Sequence, residues 1–138
     1  MKLTSVLSLL ALSASLALLS ACGGGESAVA KGDPVRGKEL YKQQCSGCHQ
    51  LQANSTGPKH CGLIGRPAAS VLDFEYSQAM RDSGLVWNPT TLDEFLTSPI
   101  SYVPGTMMGF AGFPDAADRA DVIAYLQQAN NDPSVCGQ

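Results

Sequence analysis

The 138-residue sequence predicts a small all-α domain of about four helices joined by long loops. Apolar residues recur at helical spacing, and an Asp-Pro pair and an Asn-Pro pair each mark a helix start. No segment shows the alternation that is typical of a strand, and the sequence has no internal repeat. Because long loops without structure of their own usually wrap something, the domain is expected to enclose a bound group.

Two helices are predicted in the first half of the chain. One begins with Asp33 as its N-cap and Pro34 as its first residue, and runs into Cys45. Residues 50–70 contain several Gly and Pro breakers and are expected to form a loop. A short helix is expected over 77–82.

The second half predicts two more helices. Asn88-Pro89 repeats the cap signal, and Pro99 ends that helix. The last helix begins at Asp115 and ends before Pro133. Its apolar stripe comprises Val122, Ile123, Leu126 and Ala129.

Composition excludes two classes of function. Nine Lys and Arg against twelve Asp and Glu give a formal net charge of −3, so the surface lacks the basic footprint of a nucleic-acid-binding protein. The length corresponds to one ordinary globular domain, which is too small for a large enzyme.

The N-terminus has the pattern of an export signal, with one Lys, an apolar run and small residues before Cys22. Leu19-Ser20-Ala21-Cys22 resembles the bacterial lipobox, which implies a lipid on Cys22. A plain cleaved signal and an uncleaved anchor are the alternatives, and all three put the domain outside the cytoplasm. The expected parts are a signal peptide over 1–21, a Gly-rich tether over 22–30, the domain over 31–131 and a C-terminal tail over 132–138.

Two cysteines lie in Cys45-Ser46-Gly47-Cys48-His49, the C-x-x-C-H signature of c-type haem attachment. Two thiols three residues apart can each reach one vinyl group of a porphyrin, and the adjacent imidazole then lies under the iron. A zinc site built from Cys45, Cys48, His60 and Cys61 is an alternative on spacing alone, and a redox C-x-x-C is another. Neither gives His49 a role, and His60 itself is expected to be a surface residue.

Cys61 and Cys136 remain as an even pair in an oxidising compartment, so a disulfide is expected. It would close a 75-residue loop and stabilise the fold by about 4 kcal/mol in the chain-entropy model. Two unbonded thiols are the alternative.

A second ligand for an iron lies in the loop from Tyr102 to Met108, where Pro104-Gly105 stiffens the backbone before two methionines. With the segments already described, this loop resembles class I cytochrome c, of the mitochondrial type and its bacterial relatives. The resemblance runs from about residue 31 to residue 130. Its further motifs include Gly57-Pro58, Gly62-Leu63-Ile64-Gly65-Arg66, Gly84-Leu85-Val86-Trp87 and Arg119 to Leu126.

The resemblance implies a role for each site residue. His49 corresponds to the proximal iron ligand, Pro58 to the residue whose carbonyl accepts the proximal N–H, and Met108 to the distal ligand. Met107 is a competitor one position away. Three further residues match positions that hydrogen-bond the buried haem propionates: Arg66, Tyr76 and Trp87. Gly37 matches the small residue where the first helix crosses the last.

The sequence also departs from the family. Phe95 replaces a Tyr that usually hydrogen-bonds the ligand sulfur, and Met80 replaces an Asn near the same place. A Lys-rich haem edge is also missing, since beyond the signal only four Lys and four Arg remain. Steering by a strongly positive face is therefore not expected.

The resemblance implies a non-enzymatic, monomeric carrier of single electrons, with one covalent haem c and a lipid tether on the periplasmic side of a bacterial membrane. The compatible partners are a cytochrome bc complex, a terminal oxidase, a nitrogen-oxide reductase and a photosynthetic reaction centre. A cytochrome subunit fixed in a larger complex, and a haem protein with peroxidase or gas-binding activity, are the alternatives.

Overall fold

The computed structural model describes residues 31–137 and has six helices. These are α1 (Pro34–Gln44), α2 (Gln78–Asp82), α3 (Pro89–Thr97), α4 (Pro99–Tyr102), α5 (Ala116–Asn131) and α6 (Pro133–Cys136). Within 31–137 there is no strand, only an isolated bridge between Pro67 and Val86, so the all-α prediction is confirmed. No helix in this part of the chain is long and apolar enough to cross a membrane. The predicted signal peptide, the tether and Cys22 lie outside the described residues.

Side-chain caps fix where the helices begin. The Asp33 carboxylate accepts a hydrogen bond from the Val35 N–H at 2.8 Å and starts α1 as predicted. Asn88 and Thr91 form a reciprocal capping box at the start of α3. The Asp115 carboxylate caps α5 by accepting from the Ala117 N–H at 2.8 Å.

Two prolines begin short helices that the sequence did not predict. Pro99 and Pro133 follow the end of the preceding helix and occupy the first turn of a new four-residue helix. The reason is that proline lacks the N–H that an interior helix position needs, whereas the first turn does not use it. Residues 31–137 therefore contain six helices rather than about four, and the predicted tail over 132–138 contains α6.

The core forms where α1 crosses α5. Gly37 lies against the backbone of Asp121, so close that a Cβ at Gly37 would be 1.9 Å from the Asp121 carbonyl oxygen. Below this crossing the rings of Tyr41 and Tyr125 pack with centroids 5.3 Å apart. Ile123 of α5 is 1% exposed and belongs to the central apolar cluster. The predicted close crossing at Gly37 is confirmed.

Polar contacts hold the same crossing at its edge. The Asp121 carboxylate accepts from the Asp33 N–H at 2.6 Å and forms an ion pair with Arg36. On the other side of α5, Arg119 donates to Asp93 of α3 at 2.7 Å and to the Phe113 carbonyl at 2.9 Å. Helix α5 is thus tied to both α1 and α3.

A disulfide joins the loop after α1 to the end of the chain. Cys61 and Cys136 are bonded, with Cα atoms 5.2 Å apart. Nearby, the Asn130 side chain accepts from the Leu63 N–H at 2.8 Å, and Gln52 donates to the Val135 carbonyl. The loop over 50–66 is therefore fixed to α5 and α6 by one covalent bond and several hydrogen bonds.

We predict that Gly37→Ala lowers the free energy of unfolding by about 2 kcal/mol or more, because the new methyl group meets rigid backbone rather than a movable side chain. The loss should occur even though Ala is favoured over Gly inside helices by about 1 kcal/mol. Urea unfolding of the haem-loaded protein measures the difference. Lys38→Ala, at an exposed neighbouring position on α1, is the control; equal stability of both variants would contradict the close crossing.

Candidate functional site

One cavity of about 440 Å³ opens between α1, the loop over 50–66 and the methionine loop over 103–112. Its walls include all eight predicted site residues: Cys45, Cys48, His49, Pro58, Arg66, Tyr76, Trp87 and Met108. The volume lies in the range of cofactor pockets, which run from about 300 to 1,000 Å³. The lining is largely apolar, as a flat organic group requires.

His49 enters the cavity from the turn that follows α1. Its Nδ1 lies 2.9 Å from the Pro58 carbonyl oxygen, so the ring donates its Nδ1–H there. Burial lowers the pKa of His49 and the bond to Pro58 partly opposes this shift, so the neutral ring dominates at neutral pH. In this tautomer Nε2 keeps a free lone pair, which is the state that binds a metal ion.

Gly57 explains why glycine precedes Pro58. A Cβ at Gly57 would lie 2.3 Å from Cε1 of His49, so any larger residue would displace the imidazole. The Gly57 N–H also donates to the Cys48 carbonyl at 2.8 Å and fixes the loop under the ring. The Gly57-Pro58 motif alone does not show this role of Gly57, because the contact with His49 exists only in the folded chain.

The two thiols lie at the end of α1. The N–H groups of Cys45 and Ser46 both donate to the Tyr41 carbonyl, and the His49 N–H donates to the Cys45 carbonyl at 2.8 Å. This tight turn brings both cysteines and His49 to the same cavity. Burial raises the pKa of the Cys45 thiol to about 11, whereas redox C-x-x-C sites have lowered thiol pKa values. Cys45 therefore lacks the lowered thiol pKa that is typical of a redox C-x-x-C site.

The zinc alternative is wrong for this fold. Cys61, one of its four ligands, is bonded to Cys136 and has no thiolate to offer. Among residues 31–137 no three His, Cys, Asp or Glu side chains are grouped to hold a metal ion. Cys45 and Cys48 are not disulfide-bonded and remain at the cavity.

The prediction that His60 is a surface residue is not confirmed, because the residue is only partly exposed and its Nδ1 is buried. Its ring lines the cavity and stacks on His49, with centroids 4.3 Å apart and planes 20° from parallel. Burial holds the pKa of His60 well below its usual value, so the ring is neutral. Polar neighbours in the sequence suggested exposure, but the bond at Cys61 turns this loop inward.

The two methionines differ in environment. Met108 is half-buried and packs against the apolar core, whereas Met107 is 68% exposed, although both border the cavity. The Thr106 hydroxyl accepts from the Met108 N–H at 3.3 Å, and Gly105 turns the chain with φ of +94°. Because this positive φ favours glycine, Gly105 sets the direction in which Met108 enters the cavity.

The three residues expected near haem propionates all reach the cavity. The Arg66 guanidinium donates to the carbonyls of Lys59 and Cys61 at 2.9 and 3.0 Å, which fixes its position. Burial raises the pKa of Tyr76, which stays neutral and can donate a hydrogen bond. Trp87 is buried with its ring tilted against Phe95, at a centroid distance of 5.0 Å. This position is compatible with both expected roles of Trp87, that of a hydrogen-bond donor to a haem propionate and that of a core residue.

Phe95 and Met80, the two departures, are buried and line the same cavity as Met108. Each replaces a polar group by an apolar one, so the cavity lining is less polar than the resemblance implies.

The donor set fits a haem. One nitrogen and one thioether sulfur, from His49 and Met108, border a largely apolar cavity, and two unbonded thiols lie at its edge. This combination matches the haem ligation that pairs Met with His.

Comparisons with known proteins identify the family. The sequence model of the family described as Cytochrome c matches residues 34–130. Cytochrome c 2.1 of Caenorhabditis elegans is 45% identical over 103 residues, covering 73% of this chain and 93% of the relative. Cytochrome c2 of Rhodomicrobium vannielii is 47% identical over 103 residues, covering 72% and 82%.

A solved structure supports the same assignment. Cytochrome cH from Methylobacterium extorquens matches with a TM-score of 0.67 and 36% identity, covering 70% of this chain and 99% of that one. The fold, the cavity and the ordered set of motifs thus agree. The chain belongs to the class I cytochrome c family, whose members carry electrons and bind one covalently attached haem c.

Proposed function

We propose that this protein is an exported, membrane-tethered carrier of single electrons, with haem linked through Cys45 and Cys48 and ligated by His49 and Met108. The observation that carries the proposal is the convergence of these four side chains on one cavity. Haem bound there supplies an iron that alternates between the ferric and ferrous states, and a His and Met pair raises its potential.

The chain's own residues keep this site in one arrangement. The Pro58 carbonyl orients His49, and Thr106 with Gly105 orients Met108 from the opposite loop. Phe95 and Met80 add apolar surface to the cavity that Met108 also lines. Two filled axial positions in a packed shell suit electron transfer, because little has to move when the charge changes.

The cavity mouth bears on the kind of partner. The lining residues that are exposed are all uncharged: Gln44, Cys48, Thr56, Met107 and Gly109. A redox partner therefore meets a neutral and partly apolar surface rather than a ring of lysines. A cytochrome bc complex, a terminal oxidase, a nitrogen-oxide reductase and a reaction centre all remain compatible with this surface.

The tether belongs to the proposal because of the lipobox-like sequence before Cys22. We expect the mature protein to begin at Cys22 with a lipid attached, on the periplasmic side of the membrane. Mass spectrometry of the N-terminal peptide, from protein made in a lipoprotein-processing bacterium, checks this. An unmodified Cys22 would leave a soluble exported carrier or an uncleaved anchor instead.

We predict that Met108→Ala abolishes the weak far-red ferric band that reports sulfur ligation of the iron, because the core-packed thioether is the ligand. Met107→Ala should keep the band, since that side chain points largely into solvent. The visible spectrum of the oxidised, haem-loaded protein measures both. Loss of the band in Met107→Ala alone would reverse the ligand assignment. A high-spin wild-type spectrum would replace the carrier by the peroxidase or gas-binding alternative.

We also predict that added salt does not slow the oxidation of the ferrous protein by hexacyanoferrate(III). The anion meets no positive mouth and the formal net charge is −3, so raising the ionic strength should leave the rate constant unchanged or raise it, against the roughly tenfold or greater decline of association steered by a positive face. Stopped-flow mixing measures the rate. Gln44→Lys adds a positive charge at the mouth and should make the reaction with this anion faster at low salt. A steep decline with salt in the wild type would contradict a neutral mouth.

A further inference from the structure

His60 lines the cavity but has no role in the proposed haem ligation. Its Nδ1 is the one buried side-chain nitrogen or oxygen in residues 31–137 that has no hydrogen-bond partner. A buried polar atom without a partner is unfavourable, so the volume that the ring fills does not by itself account for this side chain. The packing of the ring against its neighbours is the remaining feature to explain.

The contacts of the ring point to His49. The two imidazoles lie face to face, with centroids 4.3 Å apart and planes 20° from parallel. The edge of Tyr41 closes another side of His60, with centroids 5.6 Å apart and planes at 65°. His60 thus forms a flat surface in direct contact with the predicted proximal ligand.

The backbone fixes His60 firmly enough to serve as a support. Its N–H lies 3.1 Å from the carbonyl oxygens of Gln50 and Leu51, and the next N–H, of Cys61, donates to Leu51 at 2.7 Å. Cys61 is in turn bonded to Cys136 at the end of α6. The Cα atom from which the ring projects is therefore held in place, and the contacts with His49 and Tyr41 limit rotation of the ring itself.

The hydrogen bond to Pro58 alone does not fix the plane of the His49 ring. An N–H···O bond is formed over a broad range of angles, so an imidazole held at one edge can still tilt. A flat ring against its face restricts that tilt, and the backbone of Gly57 restricts it further. Together these three contacts define one orientation of the ring.

We propose that His60 is a positioning residue for His49: its ring sets the orientation of the His49 imidazole plane, and so the orientation of the ligand presented to the iron. This proposal rests on the proposed ligation by His49. Neighbours of a ligand commonly orient it and tune the metal in this way. Orientation of the ligand plane determines how unpaired spin is distributed over a ferric haem, which gives the proposal a spectroscopic signature.

The test compares His60→Phe, which keeps a flat ring, with His60→Leu, which fills the space without one. Proton NMR of the ferric, haem-loaded protein measures the paramagnetic shifts of the haem methyl groups, and electron paramagnetic resonance measures the g values. We expect Phe to keep a pattern near the wild type and Leu to change it severalfold more. His60→Met is the second ringless variant, used if Leu does not yield folded protein.

Two results would overturn the proposal. Equal changes in the Phe and Leu variants would assign the effect to the polar Nδ1 rather than to the ring. Wild-type patterns in both, with only a lower unfolding temperature, would reduce His60 to core filling. Failure of the proposed function is separately visible, because the wild-type ferric spectrum then lacks the His and Met signature before any variant is compared.

Discussion

The hydrogen bond from His49 to the Pro58 carbonyl is the interaction on which the rest of the site depends. It requires a chain that leaves α1, turns through the two cysteines to His49 and returns under the imidazole nine residues later, at Pro58. Gly57 allows this return because no side chain stands between the loop and the ring. Without the bond, the ligand nitrogen would have neither a fixed tautomer nor a fixed direction.

The crossing of α1 and α5 holds the start of that loop in position. Because Gly37 lets the two backbones approach, α1 ends with Tyr41 packed on Tyr125 and with Cys45 at the cavity. The opposite wall comes from a different part of the chain, where α4 and Gly105 deliver Met108. The cavity therefore forms only when distant segments meet, although each of its chemical groups sits in a short local motif.

Features that neighbouring residues determine could be predicted from the sequence, whereas features that depend on contacts between distant residues could not. The caps at Asp33 and Asn88 depend on neighbours within three residues, so the helix starts followed from sequence alone. The spacing of Cys45, Cys48 and His49 indicates haem attachment in the same way, because all three residues lie in one short motif. By contrast, the place of His60 in the cavity lining depends on the bond between its neighbour Cys61 and Cys136 and on contact with Tyr41, which no local pattern reports. Helix α6 was missed because four residues are too few to show a period.

The disulfide also makes the two walls of the cavity unequal. The wall that carries His49 and His60 is covalently joined to the end of the chain, so it can open only together with α5 and α6. The Met108 wall, in the part of the chain that the structure describes, is held by packing and a few hydrogen bonds. Subglobal opening favours the segment with the weaker links, and hydrogen exchange would therefore be fastest in the methionine loop. The haem cavity thus lies between two unlike walls. The His49 wall is held by a covalent bond, and the Met108 wall is held by noncovalent contacts and opens more easily.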